Sequence, residues 1–149
     1  MILENKMDIL STDNLQCRGF TLANRCWMCK EKEESVNHLL IHCEMARDTW
    51  NMLLTLFGRS WAFPSSVKDL LCDWQGARVR KDAKKAWLMA PSCLFWCIWR
   101  ERNRRVFDGE EMSPHRFKGS FLSLFHFWML NGHPPFVESL HDFLDSLRL

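Results

Sequence analysis

Cys26 and Cys29 stand two residues apart in Arg25-Cys26-Trp27-Met28-Cys29-Lys30, and His38 and Cys43 follow in the order C-x2-C-x8-H-x4-C. Two cysteines on a tight knuckle direct both sulfurs at one point, and a histidine and a distal cysteine can close a tetrahedron around a zinc ion. With four donors from the chain the ion has no open position for water, so the expected role of Zn2+ is structural. His42 lies four residues after His38 on the same helical face, which makes C-x2-C-x8-H-x3-H a second ligand set. On a regular helix positions 38 and 43 are about 140° apart, so both can bind only if the first turn is distorted or the ring reaches around. Cys43 also sits on an apolar seam, where a buried thiol belongs. The competing interpretation is two small thiols, a solvated histidine and a packing cysteine.

Of the remaining cysteines, Cys17, Cys72, Cys93 and Cys97 have no histidine at comparable spacing. Cys93 and Cys97, four apart in an apolar stretch, are expected to be packing residues. A second candidate site is Arg100, Arg102, Arg104 and Arg105, which follow Trp96 and Trp99 and form a candidate phosphate-contact strip with rings able to stack on bases of RNA or DNA. The plain alternative is a solvated helix end whose cations favour the C-terminal dipole. Net charge is only +2, but residues 78–105 carry nine basic and two acidic side chains while both flanks are acidic. No catalytic set is visible: the histidines after His42 are scattered, and the phosphate-cradling glycine pattern is absent. The chain is therefore expected not to be an enzyme and to take no small-molecule substrate.

The elements that must position these residues are helical. Apolar steps of three and four run from Val36 through Leu39, Cys43, Ala46, Trp50 and Leu53 to Phe57, with Ser35 as the N-cap and Gly58 at the end. A short helix is expected from Asp13 to Arg18, another through Val67, Leu70, Leu71 and Trp74, and a long one from about Asp82 to Phe107 that Pro91 should kink or split. Ser113-Pro114 opens a further helix bearing Phe117, Phe121 and Trp128, and Pro134-Pro135 opens the last. The expected fold is all-α, with an N-terminal CCHC zinc knuckle packed on a long helix.

The length of 149 residues, with 47% hydrophobic and 26% charged residues, fits one packed domain and excludes a disordered tail. Eight Trp and eleven Phe beside no Tyr supply unusual aromatic bulk for helix packing. Seven cysteines without a signal-like leader point to a reducing, intracellular compartment rather than a disulfide scaffold. The longest apolar stretch, 86–99, is too short to span a bilayer.

Thr12-Asp13-Asn14-Leu15, Arg18-Gly19, Arg25-Cys26-x-x-Cys29, Glu34-Ser35-x-x-His38-Leu39-Leu40-x-x-Cys43, Ala46-Arg47-x-x-Trp50 and Trp96-x-x-Trp99-x-x-Arg102-Asn103-x-x-x-Phe107 together resemble the zinc-binding region that follows the reverse transcriptase in plant LINE-like (non-LTR) retrotransposons. The resemblance spans about residues 6–107 and is strongest over 10–57, leaving 108–149 as a helical extension of one domain. It implies Cys26, Cys29, His38 and Cys43 as ligands, and so favours Cys43 over His42. The paired aspartates of a polymerase core are absent, because the chain holds no Asp-Asp dipeptide. The expectation is a detached C-terminal fragment of a retroelement protein that binds zinc, with RNA or DNA, or the missing polymerase portion, as its partner.

Overall fold

The computed structural model describes residues 25–131; the helices expected from Asp13 and from Pro134 lie outside the described residues. Every regular element among the described residues is helical, so the fold is all-α. After the knuckle, a π-helical turn at His38–His42 leads into α1 (Glu44–Leu56). Then come α2 (Val67–Gly76), a 3-10 turn at Lys81–Ala83, α3 (Lys84–Asn103), a second π-helical turn at Arg104–Asp108 and α4 (Pro114–Asn131).

The continuous helix expected from Ser35 to Phe57 is two segments. Cys43 has φ −58 and ψ 137, outside the helical region, and it caps the start of α1. The apolar seam survives the break, because Leu39, Leu40, Ile41, Cys43, Ala46, Trp50 and Leu53 are all buried. Gly58 takes the left-handed φ of +65 expected of a glycine just past a helix end. Ser66 caps α2 as expected of a serine before a helical run, its hydroxyl accepting from the Asp69 N–H at 3.1 Å.

Pro91 does not split α3. A proline has no N–H to give to the carbonyl four residues back, which here belongs to Trp87. That carbonyl accepts instead from the Trp74 indole N–H at 2.6 Å, and the Trp87 indole donates to the Trp74 carbonyl at 2.8 Å. The two rings stack with centroids 3.7 Å apart and planes 5° from parallel. Since the Trp74 carbonyl belongs to the last turn of α2, the exchange also serves one of the orphan acceptors every helix end carries.

From 93 to 98 α3 is buried on nearly all sides, as its unbroken apolar sequence requires. α4 lies along it, burying Phe117, Phe121 and Trp128, and Lys85 near the start of α3 donates to the Met129 carbonyl near the end of α4. The two helices therefore run antiparallel. Ser113 caps α4 by accepting from the Arg116 N–H at 3.2 Å. One continuous core joins the knuckle, α1, α2, α3 and α4. Among the described residues no helix is long and apolar enough to cross a membrane.

Candidate metal centre

The knuckle closes on itself through backbone bonds. Lys30 N–H donates to the Cys26 carbonyl and Cys26 N–H to the Lys32 carbonyl, each at 2.8 Å. Lys30 turns the chain with a left-handed φ of 64, a conformation that strains a residue bearing a Cβ. Its ammonium is anchored by an ion pair with Glu111. Within the turn the Met28 N–H donates to the Cys26 sulfur at 3.3 Å.

The other half of the site comes from the start of the helical segment. The Ser35 hydroxyl accepts from His38 N–H at 3.1 Å and its carbonyl from Leu39 N–H at 2.8 Å, which starts the helix. The Cys43 N–H then reaches back five residues to the His38 carbonyl at 2.6 Å. An α-helix would make this bond over four residues, and the wider turn brings positions 38 and 43 onto one side. This is the distortion that the separation of about 140° on a regular helix demands.

The four donors meet. Cys26 Sγ and Cys43 Sγ are 3.9 Å apart, Cys29 Sγ and His38 Nε2 are 3.3 Å apart, and all four donor atoms lie within 4.8 Å of one another. Tetrahedral zinc with Zn–S bonds of about 2.3 Å and Zn–N of about 2.0 Å separates its donors by about 3.5 to 3.8 Å, so this Cys3His set fits a zinc ion. Cys26 and Cys43 are buried while Cys29 and His38 are partly open, leaving the ion a route to solvent. The Cys26 thiol is held well above its ordinary range by its hydrogen bond to Cys43 and by burial. Cys43 is pulled down, first as acceptor of that bond and further by the N–H groups of Met45 and Ala46 at the open end of α1. His38 is lowered, chiefly by burial, which favours the neutral imidazole a metal needs.

Residues 1–50 match the family model for zinc-binding in reverse transcriptase. The matched stretch contains all four donors and ends within α1, supporting a reverse transcriptase zinc-binding domain over this third of the chain. No curated protein and no solved structure matches the chain. The donor chemistry and the zinc-binding family agree, and Zn2+ is the cofactor of this domain.

His42, the alternative donor, is outside the cluster of four donor atoms. Its Nε2–H donates to the Ser65 carbonyl at 3.0 Å, which leaves Nδ1 to accept from Arg47 at 3.2 Å. Cys93 and Cys97 are buried in α3, and no group of metal-ligating residues among the described residues includes them.

The arginine strip is not a strip. Arg100 is exposed and Arg104 half-buried, but Arg102 is 0% exposed and Arg105 only 7%. Arg102 pairs with the equally enclosed Glu34 at 3.0 Å and donates to Asn103 Oδ1 at 3.1 Å. Arg105 pairs with buried Glu101 at 3.0 Å. The expectation of four phosphate contacts therefore reduces to Arg100 and half-buried Arg104, and Arg104 itself pairs with Glu101 at 3.1 Å, while Arg102 and Arg105 are enclosed against buried carboxylates. The roles of Glu34 and Glu101 as buried partners of Arg102 and Arg105 are not among the sequence expectations. The signal for Glu101 is its i,i+4 spacing to Arg105; Glu34, the last acid of Glu31-Lys32-Glu33-Glu34 before the Ser35 cap, carries no distinguishing one.

Proposed function

We propose that this chain is a non-catalytic, zinc-stabilised module of a LINE-like (non-LTR) retrotransposon protein of plant type, forming a single domain over residues 1–149. The observation that carries the reading is the closed donor set: Cys26, Cys29, His38 and Cys43 supply four protein atoms to one point. A site so filled offers a metal no vacancy for a water nucleophile, so its chemistry is to join the knuckle to the head of α1. The LINE-like and plant assignments rest on the resemblance that runs from Thr12 to Phe107. Elemental analysis of the purified chain tests the module: one zinc per chain, with loosening of residues 25–43 on chelation, is expected. A metal-free chain with an unchanged fold would overturn it.

Binding of RNA or DNA is a second reading, favoured by the exposed positions of Arg78, Lys81, Lys85 and Arg100 in the basic central stretch. Cations that contact phosphates release counterions, so affinity for a nucleic acid should fall steeply with salt. A flat salt response would leave docking onto the polymerase portion as the role of the module.

A further inference from the structure

The guanidinium of Arg105 joins four separate parts of the chain. It donates to Glu101 at 3.0 Å, to the carbonyls of both Trp27 and Met28 at 3.1 Å, to the Met112 carbonyl at 3.3 Å and to the Met45 sulfur at 3.5 Å. Glu101 in turn accepts from the Met112 N–H at 2.7 Å and from Arg104 at 3.1 Å, which fixes the carboxylate that orients Arg105. Trp27 and Met28 are the two residues between the paired cysteines.

A peptide unit is planar and trans, so its carbonyl and its N–H point in opposite directions. Arg105 grips the carbonyl ends of two consecutive peptide units, Trp27–Met28 and Met28–Cys29. The N–H ends of the same two units, on Met28 and Cys29, face the Cys26 sulfur. One guanidinium thus holds both planes at the angle that aims their donors at a metal-ligating atom. Glu34 repeats the device from the other side, accepting the Trp27 N–H at 3.1 Å while paired with Arg102.

We propose that Arg105 is a positioning residue for the zinc site, so that the metal-binding unit extends beyond the matched residues 1–50 to Met112. The inference rests on the zinc reading above, and on the general finding that groups orienting metal ligands contribute about 10- to 100-fold to metal affinity. Lysine cannot replace this arginine, because a single ammonium cannot span two carbonyls and a carboxylate from a planar fork.

The test is zinc affinity of the full chain measured by competition with a chelating dye, together with the cobalt(II) spectrum of the same proteins. Arg105→Ala is expected to weaken zinc binding by about 10- to 100-fold and to shift the thiolate-to-cobalt charge-transfer band, with Arg105→Lys restoring little of either. Phe121→Leu, in the core away from the knuckle, is expected to lose stability but to keep both affinity and spectrum. Glu101→Gln keeps the fork but loosens its orientation, and it should show the same loss of affinity where Arg105→Ala does not fold. Affinity and spectrum unchanged in both Arg105→Ala and Glu101→Gln, or an equal loss in Phe121→Leu, would overturn the proposal while leaving the zinc module standing. A wild-type chain that binds neither zinc nor cobalt would overturn both.

Discussion

Glu34 and Arg102 meet at 3.0 Å with neither side chain exposed to solvent, joining the end of the knuckle to the last turn of α3 across 68 residues of sequence. Removing one partner of a buried pair strands the other charge, which costs about 3 to 5 kcal/mol, whereas replacing both can be neutral. Glu34→Gln should therefore destabilise the zinc-loaded chain by about 3 kcal/mol, and Glu34→Gln combined with Arg102→Met should recover most of the loss. Urea denaturation of the four proteins checks this. A double variant as unstable as the sum of its parts would contradict the pairing.

The ligand set makes sharper claims. Cys29→Ser and His38→Ala should each abolish stoichiometric zinc, because a structural site depends on all four donors. His42→Ala should retain it, since His42 faces Ser65 and Arg47 rather than the other donors. Metal analysis showing zinc kept by His38→Ala and lost from His42→Ala would select the other set.

The sequence made the apolar faces legible and left the backbone irregularities hidden. Trp50, Phe121 and Trp128 are buried where helical spacing put them, because burial of large apolar side chains dominates packing. The break at Cys43 did not show in the pattern, since a seam of Leu39, Cys43, Ala46 and Trp50 looks the same whether or not one hydrogen bond skips a residue. The four donors were legible from residue type and order. The burial of Arg102 and Arg105 was not, because a run of charge normally faces water and only three-dimensional placement of Glu34 and Glu101 reverses that.

Pro91 and Trp74 should be energetically coupled. With Pro91 present, the Trp87 carbonyl has the Trp74 indole as its donor, so Trp74→Phe leaves that acceptor poorly served. Pro91→Ala supplies a backbone N–H for the same carbonyl, and Trp74→Phe should then cost about 1 kcal/mol less than in the parent. A double-mutant cycle by thermal denaturation measures the difference. Strict additivity would mean that the indole does not stand in for the missing helix donor.

The metal-free chain should weaken in acid through His38. Burial holds its folded pKa below the ordinary 6.5, so the unfolded chain binds more protons in that window. This contribution to stability is level above 6.5 and falls as pH drops below it. Denaturation in chelator at a series of pH values should show the slope, and His38→Gln should reduce it. An unchanged slope in that variant would assign the acid sensitivity to other groups.

Cys43 has two duties in one residue: its side chain presents a sulfur to the ion and its backbone is where the chain changes direction into α1. Metal occupancy and the orientation of the knuckle on the helical body are thereby coupled. Loss of zinc is therefore expected to change the surroundings of Trp27, exposed at the knuckle tip, against the steady background of the seven other tryptophans.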